Sequence, residues 1–128
     1  MRRDIRVMVV DDDVMIRDCI IAFLEDEEFQ VSVASSAEEG LDVIARVNPT
    51  VCITDLRLPG MNGEQFIKRA SLLSTATHFI IHTGSAYILS DDLRAIGMTS
   101  DDVLFKPVHD LSSISERIIE ISCGDKKQ

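Results

Sequence analysis

Four places in this sequence set a reactive side chain at the end of an apolar run. Asp55 follows Val51-Cys52-Ile53-Thr54, and Pro59-Gly60 comes soon after it. Asp11 and Asp12 follow the run Ile5 to Val10, Thr83 closes His78 to Thr83 just before Gly84, and Lys106 stands before Pro107. Each has a plain role when taken alone. Asp13 suits a helix N-terminus, Thr83 suits a helix cap, and a lysine at a strand end is ordinarily solvated. Asp11 and Asp12 fit a helix start poorly, because they end a strand. Three carboxylates in a small volume repel one another unless their pKa values rise or a cation compensates. Oxygen-only donors suit a hard ion such as Mg²⁺, which takes one or two carboxylates and keeps several waters. No His or Cys stands among these acids in a zinc-like spacing. A carboxylate beside such an ion, a lysine and a hydroxyl is equipped to accept a phosphoryl group. Asp55 would attack phosphorus in line and form an acyl phosphate. Lys106 would offset charge on the phosphoryl oxygens, and Thr83 would hydrogen-bond one of them.

These residues meet only if the chain folds them to one edge. Ile5 to Val10 reads as a strand, and Ile16, Ile20, Phe23 and Leu24 repeat at helical spacing, which predicts a helix from about Asp13 to Glu27. Phe29 to Val33 is a short second strand. Ser35 or Ser36 can cap a second helix whose buried stripe is Ala37, Leu41, Ile44 and Ala45, and Asn48-Pro49 stops it. The strand ending at Asp55 follows. Met61-Asn62-Gly63 closes a loop, and Phe66, Ile67, Ala70 and Leu73 mark a third helix. His78 to Thr83 is a fourth strand. A fourth helix lies within Ala86 to Ile96; Ser90 offers a later cap and Gly97 ends it. Val103 to Lys106 is a fifth strand, and Leu111, Ile114, Ile118 and Ile121 mark a last helix. The domain is expected over 1–122, with 123–128 as a charged tail.

Strands alternating with helices predict an α/β fold, a parallel sheet covered on both faces. With right-handed crossovers, five strands fit the doubly wound, flavodoxin-like order 2-1-3-4-5. Ligands then sit beyond the carboxyl ends of the strands, at the switch point between strands 1 and 3. Asp11, Asp12, Asp55, Thr83 and Lys106 all fall on that edge.

Composition narrows the class. A chain of 128 residues, 45% hydrophobic and 27% charged, suits one globular domain. The formal charge of −9 argues against direct nucleic-acid binding and suits protein partners or a held cation. No apolar run approaches the roughly 20 residues of a membrane span. Cys19, Cys52 and Cys123 are odd in number and lack metal spacing, which points to a reducing, cytoplasmic compartment.

The sequence resembles the receiver domain of bacterial response regulators from Ile5 to about Ser122. The residues that carry the resemblance are Val9-Val10-Asp11-Asp12, Asp55 with Leu58-Pro59-Gly60-Met61-Asn62-Gly63, Thr83-Gly84 and Lys106-Pro107. Each motif alone is weak, while the ordered set is specific. The resemblance implies that Asp55 is the phosphoacceptor and that Asp11 and Asp12 hold Mg²⁺ directly or through water. The carbonyl of Arg57 would be a further ligand. Thr83 and Lys106 would contact the phosphoryl group, and the Lys106-Pro107 bond would be cis. The donor would be a sensor histidine kinase or a histidine phosphotransfer protein. A downstream protein would read the face made by helix 4, strand 5 and helix 5. Such a switch is not an enzyme beyond its own phosphorylation and dephosphorylation. One departure stands out: family members usually carry Tyr or Phe three residues before the lysine, and here that position is Val103. No output domain follows, which leaves open a stand-alone receiver or a piece of a larger protein.

Three other readings compete. Asp11-Asp12-Asp13-Val14 reads as the D-x-D-x-[TV] nucleophile motif of haloacid-dehalogenase-type phosphatases, which would make Asp11 the nucleophile and Asp55 incidental. A flavodoxin-like electron carrier shares the strand order, but acids stand where its phosphate loop would be. A degenerate receiver would only bind a partner.

Overall fold

The computed structural model describes residues 4–106 and 111–126. The elements are β1 (Arg6–Val10), α1 (Val14–Asp26), β2 (Gln30–Ala34), α2 (Ala37–Val47), β3 (Val51–Thr54), α3 (Gly63–Leu73), β4 (His78–Thr83), α4 (Asp91–Ala95), β5 (Val103–Phe105) and α5 (Ser112–Lys126). The strands pair in parallel in the order β2-β1-β3-β4-β5, as the sequence predicts.

Alternation along the buried strands builds two cores. Met8, Val10, Cys52, Phe79 and Ile81 face Ile44 of α2, Phe66, Ile67 and Ala70 of α3, and Leu93 of α4. Val7, Val9, Val51, Ile53 and Ile80 face Ile20 and Leu24 of α1 and Ile114, Ile118 and Ile121 of α5.

Side-chain caps set the helix starts. Asp13 accepts from the backbone N–H of Met15 and Ile16, Ser36 from Glu39, Asn62 from Gln65, and Ser90 from Leu93. The later start at Ser90 turns Asp91 and Asp92 into first-turn acids, where the helix dipole favours them. Asn48, in a left-handed conformation at φ 48°, ends α2.

Two expectations are corrected. Ala45 is exposed, because the buried row of α2 runs Ala37, Gly40, Ile44 and Ala45 lies one step further round. Leu73 is exposed as well. The place after Ala70 in the inward row of α3 belongs to Ser74, a buried polar residue with its own hydrogen-bond partners. The last helix, α5, runs to Lys126.

Candidate functional site

Strand register assembles the site. Val10 pairs with Thr54, so the residues that follow them, Asp11 and Asp55, leave the sheet side by side. The Asp55 N–H donates to the Val10 carbonyl at 3.0 Å and fixes this placement. On the other flank Thr83 pairs with Phe105, and the Lys106 N–H donates to the Thr83 carbonyl at 2.7 Å. Four strand ends therefore meet at one edge.

Lys106 joins two of the acids. Its Nζ lies 3.0 Å from Asp11 Oδ2 and 3.0 Å from Asp55 Oδ2. The remaining oxygens take backbone donors: the Asp13 N–H reaches Asp11 Oδ1 at 2.9 Å, and the Arg57 N–H reaches Asp55 Oδ1 at 3.2 Å. Asp12 is exposed. Carboxylate oxygens of Asp11, Asp12 and Asp55 nevertheless lie within 4.8 Å of one another. Thr83 is fully buried, and its Oγ1 accepts from the Ser85 N–H at 3.2 Å.

Burial raises the pKa of Asp11, although hydrogen bonds from Asp13 and Lys106 oppose it; the Asp55 charge adds to the rise. Burial alone would lower Lys106, but the hydrogen bonds and charges of Asp55 and Asp11 outweigh it and its pKa is raised. The lysine is thus held as a cation between two anions. Three carboxylates against one ammonium leave two negative charges, and every donor atom in the acid cluster is oxygen. That set fits a hard divalent cation such as Mg²⁺.

Several further residues shape the site. Arg17 of α1 donates to the Asp11 carbonyl at 3.1 Å and braces the turn after β1. Gly63 lets the start of α3 pass beneath Asp55, since a Cβ there would run into the Asp55 carbonyl oxygen. Tyr87 donates to Glu64 Oε1 at 2.7 Å and ties the loop after β4 to α3. His82, beside Thr83, turns to the opposite face of the sheet and is buried. The expected cis bond at Lys106-Pro107 lies outside the described residues. The phosphatase pattern D-x-D-x-[TV] fails here, because its last position is Met15.

Comparison with known proteins gives the family and the fold. The sequence profile of the response regulator receiver domain matches residues 7–119. The cell cycle response regulator CtrA of Brucella ovis is 33% identical over 104 residues, 81% of this chain and 44% of that protein. This chain therefore spans less than half the length of the curated relatives it matches. Among solved structures, a CheY-like receiver domain protein from Methanospirillum hungatei is 30% identical with a TM-score of 0.76, covering 94% of this chain and 98% of that one. The response regulator TrrA of Thermotoga maritima, solved in complex with Mg²⁺ and BeF, has a TM-score of 0.79 at 22% identity, over 91% of this chain and 98% of that one. At that identity it shows a shared fold. With the profile spanning nearly the whole chain and Asp11, Asp55, Thr83 and Lys106 gathered at one sheet edge, the chain belongs to the response regulator receiver domain family.

Proposed function

We propose that this receiver accepts a phosphoryl group on Asp55 and serves as a phosphorylation-dependent switch. Receivers act in two-component systems, typically as Mg²⁺-binding phosphoproteins. The observation that carries the reading to these residues is the Lys106 ammonium bridging Asp11 and Asp55, with Asp12 beside them. Mg²⁺ would be held by Asp11, Asp12 and Asp55, with the Arg57 carbonyl as a further ligand. The chemistry of its donor set supports this ion, and the Thermotoga maritima relative was solved with it.

A carboxylate oxygen of Asp55 attacks phosphorus in line. The new bond is Asp55 oxygen to phosphorus, and the bond that breaks joins phosphorus to the donor's imidazole nitrogen. The electron pair leaves with that nitrogen. When bound, Mg²⁺ supplies charge neutralisation for the transferring phosphoryl oxygens. Lys106, whose Nζ lies 3.0 Å from Asp55 Oδ2, would exchange its carboxylate contact for a phosphoryl one. The Arg57 N–H orients the Asp55 carboxylate through Oδ1. Thr83 Oγ–H donates to a phosphoryl oxygen as the charge arrives. The donor is a sensor histidine kinase or a histidine phosphotransfer protein, and a downstream protein reads the α4–β5–α5 face in the cytoplasm.

Intact-protein mass spectrometry after incubation with acetyl phosphate and Mg²⁺, with the modified residue mapped, tests the reading. One phosphoryl group on Asp55, absent in Asp55→Asn, is the expected result. A group on Asp11 that persists in Asp55→Asn would establish the phosphatase-type chemistry instead. No modification of a chain that binds Mg²⁺ would leave a binding module.

A further inference from the structure

The α1 side of the sheet carries a second donor cluster of different chemistry. Met15 and Cys19 lie four residues apart on α1, a spacing that sets their side chains next to each other on one helix face. Opposite them His82 rises from β4. All three line one cavity of about 360 Å³ whose other walls are mainly Ile16, Ile20 and Leu111. His82 is only 4% exposed, and both ring nitrogens are buried without a hydrogen-bond partner among the described residues. A buried, unpartnered imidazole is costly unless something fills its coordination or hydrogen-bonding capacity. Met15 and Cys19 are exposed and stand at the mouth, so an incoming ion meets sulfur first.

We propose that Met15, Cys19 and His82 form a binding site for a soft monovalent metal ion, Cu(I). A thioether, a thiolate and an imidazole are a soft donor set, unlike the all-oxygen set at the sheet edge. Charge selects the monovalent ion. Cu(I) with the Cys19 thiolate is neutral, which suits an apolar cavity. Zn²⁺ with the same single thiolate would leave a positive charge next to the Lys106 ammonium, which also borders this cavity. Burial, helped by the Lys106 charge, pushes the His82 pKa down to about 4, so the imidazole is in its neutral, ligating form at neutral pH. Binding forms metal bonds to two sulfurs and one nitrogen and releases the Cys19 thiol proton to solvent. No electron transfer is involved.

The test uses the whole chain in a Cys123→Ser background, because Cys123 is a second exposed thiol and Cys52 is buried. Cu(I) is titrated without oxygen against the chelator bicinchoninate. One equivalent per chain should be retained. Cys19→Ser and His82→Leu should each weaken retention on the order of 10-fold or more, and Met15→Leu by several-fold, following the losses seen when metal sites are perturbed. X-ray absorption at the copper edge should show mixed sulfur and imidazole ligation, and Asp12→Ala should leave retention intact. Far-UV circular dichroism checks that His82→Leu folds; if it does not, Cys19→Ser and the absorption spectrum decide. The site is overturned if the Cys123→Ser chain retains no Cu(I), if a folded His82→Leu retains it as tightly as its parent, or if Zn²⁺ binds as well as Cu(I).

Discussion

At the amino-terminal end of the sheet, a small network of hydroxyls and one ion pair are satisfied within the fold. Ser74 Oγ donates to Asn48 Oδ1 at 3.0 Å and meets Thr77 Oγ1 at 2.6 Å, and Thr77 donates to the Pro49 carbonyl at 2.6 Å. Close by, Asp102 takes Arg117 at 2.7 Å and the Thr99 N–H at 2.9 Å. At the carboxyl end, one lysine serves buried Asp11 and half-buried Asp55, and a third carboxylate stands within reach. The first end gains stability from satisfied groups. The second concentrates charge that the fold does not balance, which is what an ion and a phosphoryl group would relieve. One sheet thus separates its stabilising polar network from its reactive one.

Paired substitutions give the largest expected contrast. Asp55→Asn should abolish acyl-phosphate formation while the chain stays folded. Ser74→Ala should do the reverse. Loss of its hydroxyl removes the contacts to Asn48 and Thr77 and costs about 0.5–1.5 kcal/mol, with the extent of phosphorylation unchanged. Urea unfolding and phosphoprotein mass spectrometry on the two variants check this. A Ser74→Ala protein that is folded but cannot be phosphorylated would erase the division between the two ends.

Next in size is the ion itself. A ligand bound only by the native state, at 100 times its dissociation constant, adds about 2.7 kcal/mol. Thermal midpoints should rise with Mg²⁺ in the wild type and rise much less in Asp12→Ala. An undiminished rise in the variant would remove Asp12 from the ligand set.

His82 gives a somewhat smaller, pH-dependent effect. Its pKa falls from the ordinary 6.5 to about 4, first through burial, then through the Lys106 charge. Between those values the unfolded chain binds a proton that the native state refuses. Stability at this residue is therefore present above about pH 6.5 and lost as pH falls, with about 2 kcal/mol gone by pH 5. Metal-free wild type should lose that much more stability between pH 7 and pH 5 than His82→Leu does. Parallel curves for the two proteins would show that the imidazole is not held neutral.

The reactive end was legible in the sequence and the stabilising end was not, for a physical reason. Asp11, Asp55, Thr83 and Lys106 interrupt apolar runs, so the strand pattern itself points to them. Parallel order then brings strand ends together without any knowledge of side-chain contacts. Ser74 and Thr77 sit in a polar stretch that reads as an ordinary loop, and their burial depends on contacts with Asn48 and Pro49 far away in sequence. His82 hides differently. It occupies an inward position of a buried strand, where one polar residue among apolar ones looks like a tolerated exception. The fourth helix was legible only in its cap: Ser90 marks the start, whereas the residues before it form loop because their contacts are tertiary.

Tyr87 supports the smallest effect and bears most directly on how the reactive end communicates. The usual aromatic on β5 is replaced by Val103, whose branched side chain is stiff and short. Thr83 begins the loop that carries Tyr87, and the Tyr87 hydroxyl bond to Glu64 fastens that loop to α3. Burial, then the hydrogen bond and charge of Glu64, raise the tyrosine pKa, so it stays a donor at neutral pH. Movement of Thr83 towards a phosphoryl group would pull on this fastening. Tyr87→Phe removes one hydrogen bond, worth about 0.5–1.5 kcal/mol, and keeps the ring that packs against the core. Amide protection over residues 84–90 should fall in the variant. In the wild type, beryllofluoride with Mg²⁺ should change protection chiefly over residues 83–90 and less around Val103. If Tyr87→Phe leaves 84–90 as protected as before, the bond does not hold the loop. If beryllofluoride acts on β5 while 84–90 stays silent, the signal leaves the site along the strand, and the loop is only a lid on the core.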